Sequence, residues 1–141
     1  MQLHDARLHH PSTMLICGPS NSGKTTFTKK ILKHSNSLFT PYPPKFVVLV
    51  YETWQSCYDE MLQNNYIHLA IKGLSDIDYL KEIFEENKSK TGTLLVIDDQ
   101  MQNLDQNVVS ILPCIHVITG YLVHYLHNIS SFPNNFTELA V

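Results

Sequence analysis

Met14-Leu15-Ile16-Cys17 runs directly into Gly18-Pro19-Ser20-Asn21-Ser22-Gly23-Lys24-Thr25-Thr26, and the join between these stretches decides the fold. The first is a short apolar run stopped by a glycine, the pattern of a buried strand. The second fits G-x-x-x-x-G-K-[ST] without a deviation. Gly18 and Gly23 let the backbone turn tightly and come close to a ligand. From Lys24 a helical period begins, with Phe27, Ile31 and Leu32 on one side and Lys29, Lys30 and Lys33 on the other. A strand, a glycine-rich turn and an amphipathic helix in that order set successive amides at a helix N-terminus, where they favour an anion. The amides from Asn21 to Thr26 are candidates to cradle phosphate oxygens. Lys24 would bridge the β- and γ-phosphates, and Thr25 would place its hydroxyl on Mg²⁺. Gly18, Pro19, Ser20, Asn21, Ser22, Gly23, Lys24, Thr25 and Thr26 are thus the candidate nucleotide-binding residues, with ATP and Mg²⁺ the expected ligands.

Working outward, Phe46-Val47-Val48-Leu49-Val50-Tyr51 and Thr93-Leu94-Leu95-Val96-Ile97 read as buried strands. Their uninterrupted apolar character suits a parallel sheet covered on both faces. The second of them closes on Asp98-Asp99. A carboxylate at a strand end can hold the Mg²⁺ water shell opposite Thr25, which makes Asp98 a metal candidate beside Thr25. Asp99 would then polarise a water, and with Lys24 it is the candidate catalytic pair. Its bland reading is a solvated helix cap. Between these strands, Trp54 to Leu62 reads as helical and Ile67 to Ala70 as a short strand. Ser75 to Lys90 reads as an amphipathic helix capped by Ser75, with Ile77, Leu80, Ile83 and Phe84 as its buried stripe. Residues 1–12 form a polar lead-in, strand or loop. Alternating strands and helices predict an α/β fold, a three-layer α/β/α P-loop NTPase sandwich with a mainly parallel sheet led by Leu15, Val48 and Val96.

The composition sets limits on partners. A chain of 141 residues makes one compact domain, and 43% hydrophobic with 16% charged residues excludes a disordered one. The net charge of −3 gives no overall attraction to nucleic acid or an anionic membrane. Cys17, Cys57 and Cys114 have neither disulfide-framework nor zinc-ribbon spacing, and the N-terminus lacks the blocks of a secretory signal. An intracellular protein, cytoplasmic or nuclear and not secreted, is therefore expected. Arg7 is the sole arginine against nine lysines, which excludes the arginine-rich lid of a small nucleotide kinase.

With both motifs placed, the chain resembles the packaging-type ATPases of the FtsK–HerA superfamily, in particular the DNA-packaging ATPases of Polinton-like elements and double-stranded DNA viruses. The residues that carry this are Gly18 to Thr26, Tyr51 to Gln55, Tyr58 to Met61, Ile71 to Leu74 and Leu95 to Asp99. The resemblance implies a homo-oligomeric ring that hydrolyses ATP to move double-stranded DNA into a capsid, without a membrane. It also implies a further strand between those bearing Gly18 and Asp98, presenting a polar sensor, and an arginine finger from a neighbouring subunit. A truncated nucleotide-binding remnant with little or no hydrolysis is the alternative.

The resemblance ends near Leu112, which divides the chain into a P-loop core (1–112) and a tail (113–141). Three readings of the tail stay open. Cys114 to Thr119 is the missing central strand, reached through a helix over Asp105 to Leu112, with Thr119 as sensor. Alternatively the tail is an unrelated or truncated ending, and the sheet is incomplete at the C-terminus. The third reading is a membrane span over Val108 to Leu126, a stretch without Asp, Glu, Lys or Arg. Cys114, His116, His124 and His127 have spacings conceivable for zinc, though packed positions are the ordinary reading.

Overall fold

The computed structural model describes residues 7–9, 13–19, 21–73, 76–87, 92–98, 116–121 and 136–140. In chain order its elements are β1 (Leu8–His9), β2 (Thr13–Cys17), α1 (Lys24–Lys33), α2 (Ser35–Leu38), β3 (Phe39–Thr40), β4 (Phe46–Tyr51), α3 (Ser56–Gln63), β5 (Leu69–Lys72), α4 (Ile77–Glu86), β6 (Thr93–Asp98), β7 (His116–Tyr121) and β8 (Phe136–Ala140). The fold is mixed α/β. Six strands form one sheet in the order β5-β4-β6-β7-β2-β8, and β1 with β3 forms a second, two-stranded sheet. Every pairing is parallel.

The apolar runs of β4 and β6 form adjacent interior strands of the sheet. All six residues of β6 are buried, as are Val47 to Val50 of β4. Because side chains alternate across a strand, these runs feed two apolar clusters. Val47, Leu49, Leu94 and Val96 join Met14 and Ile16 of β2, Ile31 and Leu32 of α1, and Tyr58 and Met61 of α3. Val48, Val50, Leu95 and Ile97 join Leu80 and Ile83 of α4. A strand with both faces covered favours apolar residues on both of them, which is why neither run alternates in character.

Several expected boundaries move. The helix expected from Trp54 starts at Ser56, because Gln55 is extended (φ −118°, ψ 142°) and Trp54 stands outside it. The strand expected over Ile67 to Ala70 is Leu69–Lys72; Ile67 is apolar because it packs in the core, 1% exposed, ahead of the strand. The cap of α4 is Asp76, whose Oδ1 accepts from the Tyr79 N–H at 2.9 Å, in place of Ser75, which lies outside the described residues. The lead-in does contain a strand, β1, and it pairs with β3 rather than joining the main sheet.

In the tail, β7 and β8 flank β2. β7 lies between β2 and β6, and Thr119 sits in register between Ile97 and Leu15. This strand runs from His116 to Tyr121 instead of Cys114 to Thr119, and it occupies the middle of the stretch also read as a membrane span. Among the described residues no helix is long and apolar enough to cross a membrane. The expected crossover over Asp105 to Leu112, and Cys114, His124 and His127, lie outside the described residues.

His68 fastens β4 at the start of its pairing with β5. Its N–H donates to the Val47 carbonyl at 2.9 Å, and the Val47 N–H donates to its Nδ1 at 3.0 Å. The imidazole also stacks on Phe46, with ring centroids 5.6 Å apart. A backbone N–H can only donate, so Nδ1 must be unprotonated to accept it. Desolvation lowers the His68 pKa below the ordinary histidine value. The unfolded chain therefore takes up this proton first as pH falls. Stability from His68 is full above about pH 6.5, and it is lost as pH falls through the lower folded-state pKa. Thermal melting across this range should show the loss in the wild type, and His68→Gln, which keeps an acceptor but does not titrate, should flatten that part of the profile.

Candidate functional site

The carboxyl end of β2 delivers the chain into the glycine turn. Gly18 is buried and Pro19 exposed, and the Ser22 N–H donates to the Pro19 carbonyl at 3.2 Å, closing the loop on itself. Asn21 (φ 61°) and Gly23 (φ 90°) both take positive φ, on either side of Ser22. At Gly23 the left-handed conformation is the reason for glycine, since a Cβ there would meet nothing within 4 Å. Gly23 is also the N-cap of α1, and its carbonyl accepts from the Phe27 N–H at 2.8 Å. This helix starts with no side-chain cap and no acid in its first turn. Its leading amides and positive dipole end are left for an external anion.

Lys24 and Thr25 open the helix and turn in different directions. The Lys24 ammonium folds back over the loop, donating to the carbonyls of Gly18 at 3.0 Å and Pro19 at 2.9 Å. Both acceptors are neutral, so the positive charge stays available to an anion at the turn. Thr25 reaches across the sheet: its Oγ1 donates to Oδ2 of Asp98 at 2.8 Å, joining residues 73 apart in sequence. Asp98 ends β6, opposite Tyr51 in register, and is only 7% exposed. Thr26 is exposed on α1, and Ser20 and Asp99 lie outside the described residues.

One participant escaped the reading of the sequence. The Tyr58 hydroxyl, from α3, donates to the same Asp98 Oδ2 at 2.8 Å. Tyr58 is 1% exposed, and its ring meets Tyr51 at 5.8 Å and Trp54 at 5.4 Å between centroids. Beyond its place in the Tyr58–Met61 stretch of the resemblance, which assigns it no role, its signal was a tyrosine in the helix after the strand that borders β6, equally the signature of a core aromatic. Trp54 is 41% exposed, and its Nε1 donates to Asp59 at 3.3 Å. Cys57 lies close enough to sense the site: burial first, then the Asp98 charge, pushes its thiol pKa up. A thiol shifted this way is a weaker nucleophile than a free cysteine.

The residues present fit a magnesium–nucleotide. A hydroxyl and a carboxylate converge at one end of the sheet, a lysine folds back onto the loop that leads into an uncapped helix, and the buried Ser22 Oγ has no hydrogen-bond partner among the described residues. Among the described residues no three His, Cys, Asp or Glu side chains come together. Magnesium bound with a nucleotide needs no such cluster, because it takes one or two protein ligands and completes its octahedron with phosphate oxygens and water. No protein-family model, curated protein or solved structure matches the chain.

Proposed function

We propose that the chain is a P-loop ATPase domain that binds ATP with Mg²⁺ at the Gly18–Thr26 turn. The observation that carries this is the 2.8 Å bond from Thr25 to Asp98, which joins the phosphate turn to the acidic strand end. Neither motif alone requires the other to be near. On this reading the sheet, with α1 and α3 against one face and α4 against the other, is a three-layer P-loop sandwich, and ligand sits at the carboxyl ends of its strands.

Each residue then has a task. Lys24 exchanges its two carbonyl acceptors for β- and γ-phosphate oxygens, where its charge counts for more. Thr25 keeps its proton on Asp98 and offers its lone pairs to the metal. Asp98 holds the metal's water shell, and Asp99 orients the attacking water. Mg²⁺, held through Thr25 and Asp98, would supply positive charge that neutralises the charge developing on the phosphate. The Ser22 hydroxyl turns to a phosphate oxygen. That predicts opposite effects of Ser22→Ala: melting temperature up by roughly 2–5 °C as an orphaned hydroxyl disappears, and ATP affinity down about tenfold. Thermal melting and calorimetric titration read the two.

The resemblance to packaging motors extends this reading to DNA translocation by a homo-oligomeric ring, with double-stranded DNA and a capsid as partners. A net charge of −3 requires that DNA contact come from an assembled ring or a local patch rather than from overall charge. The test is calorimetric ATP binding, with phosphate release measured in Mg²⁺ with and without double-stranded DNA. DNA-stimulated turnover supports the motor. Binding without turnover leaves the nucleotide-binding remnant, and absence of binding ends the proposal.

A further inference from the structure

We infer that Tyr58 is a positioning residue of the metal site, acting through its hydroxyl on Asp98. This rests on the magnesium–nucleotide reading and deepens it. Two hydroxyls, from α1 and α3, converge on one oxygen of one carboxylate, each at 2.8 Å. Thr25 has a single hydroxyl proton, and giving it to Asp98 fixes where its lone pairs point. Were the carboxylate to rotate, the Thr25 proton would follow it and the lone pairs would turn away from the metal.

Tyr58 supplies the second tie that prevents this. Its backbone is set by α3, where its N–H donates to the Gln55 carbonyl at 2.9 Å. Its ring is locked by core packing, by the tilted ring of Tyr51 and by the edge-to-face contact with Trp54. A phenol held this firmly delivers its proton to one point in space. The ring alone fills the core, so packing would be satisfied by phenylalanine; the hydroxyl is there for Asp98. The same contacts lead outward, since Tyr58 touches the half-exposed Trp54, the only tryptophan of the chain. Its fluorescence therefore reports on the carboxylate.

The test compares wild type, Tyr58→Phe and Met61→Ala, the last a core truncation on the same helix with no bond to Asp98. ATP binding is measured in EDTA, then Mg²⁺ is titrated at fixed ATP. For Tyr58→Phe we expect unchanged ATP affinity in EDTA and a Mg²⁺ half-saturation raised about tenfold or more, as when a residue behind a metal ligand is removed. Met61→Ala should lower melting temperature and leave Mg²⁺ half-saturation alone. Equal Mg²⁺ half-saturation in Tyr58→Phe and wild type overturns the inference, as does an equal shift in both variants. A second measurement leaves Tyr58 in place. Mg²⁺ added to the ATP-bound wild type should change Trp54 emission, whereas Asp98→Asn should show no change; a silent wild type overturns the inference even if Tyr58→Phe does not fold. Wild type that fails to bind ATP at all refutes the nucleotide reading itself, a result distinct from all of these.

Discussion

Lys24→Ala is expected to lower ATP turnover by at least 10²- to 10³-fold, the typical effect of removing one preorganised donor from a developing charge. The size follows from the position of the ammonium. It is held by two neutral carbonyls of the loop that leads into an uncapped helix, so little is lost when it shifts to phosphate. No other lysine of α1 takes its place: Lys29 is committed to Glu60 of α3, and Lys30 and Lys33 lie in the last turn, away from the loop. The fold should tolerate the change, because both lost bonds are side chain to loop and at most partly buried. Phosphate release and calorimetry on Lys24→Ala, with melting as control, decide it. Unchanged binding and turnover would remove the basis for an ATP site at this turn.

The second large effect is at Asp98, where two substitutions should part company. Asp98→Ala removes the acceptor of two hydroxyls. Thr25 is half-exposed and can turn to water, but the Tyr58 hydroxyl is buried and loses its bond to this carboxylate, at a cost of about 1–3 kcal/mol. Asp98→Asn keeps an oxygen that accepts from both and removes a buried charge, so its fold should be as stable as the wild type or more so. Both variants should lose Mg²⁺-dependent ATP binding and retain binding in EDTA. Urea unfolding beside Mg²⁺ titration separates the two properties. An asparagine variant with wild-type Mg²⁺ dependence would show that Asp98 is only a hydrogen-bond acceptor in the core.

What the sequence made legible was local. β2, β4 and β6 lie on apolar runs that carry their own turn signals, and the Gly18–Thr25 pattern dictates a backbone shape whatever surrounds it. Asp98 could be read because core packing alone does not select a charge at the end of such a run. Less readable were features fixed by neighbours. Ile67 and Ala70 looked like one strand because packing and pairing both select apolar residues. Trp54 looked helical because the helical period gives no sign of the extended Gln55. The role of Tyr58 at the site could not be read, since a buried tyrosine in a helix and one that holds a carboxylate 40 residues on are the same letter. The tail kept three readings because its apolar residues show neither strand nor helix period strongly.

The strand order also dictates a sequence of events at the ribosome. β4, β5 and β6 are neighbours in the sheet and contiguous in the chain, so their pairing needs nothing made later. β2 is the reverse: synthesised early, it pairs only with β7 and β8 among the described strands, the last two to emerge. At ~5–20 residues per second the nascent β2 waits several seconds with its edges unpaired, a slow, non-local closure. The glycine turn and the acidic strand end are thus translated well before they meet, and they are brought together only when β7 slides between them. A chain interrupted before His116 would carry both motifs and still lack the strand that joins them.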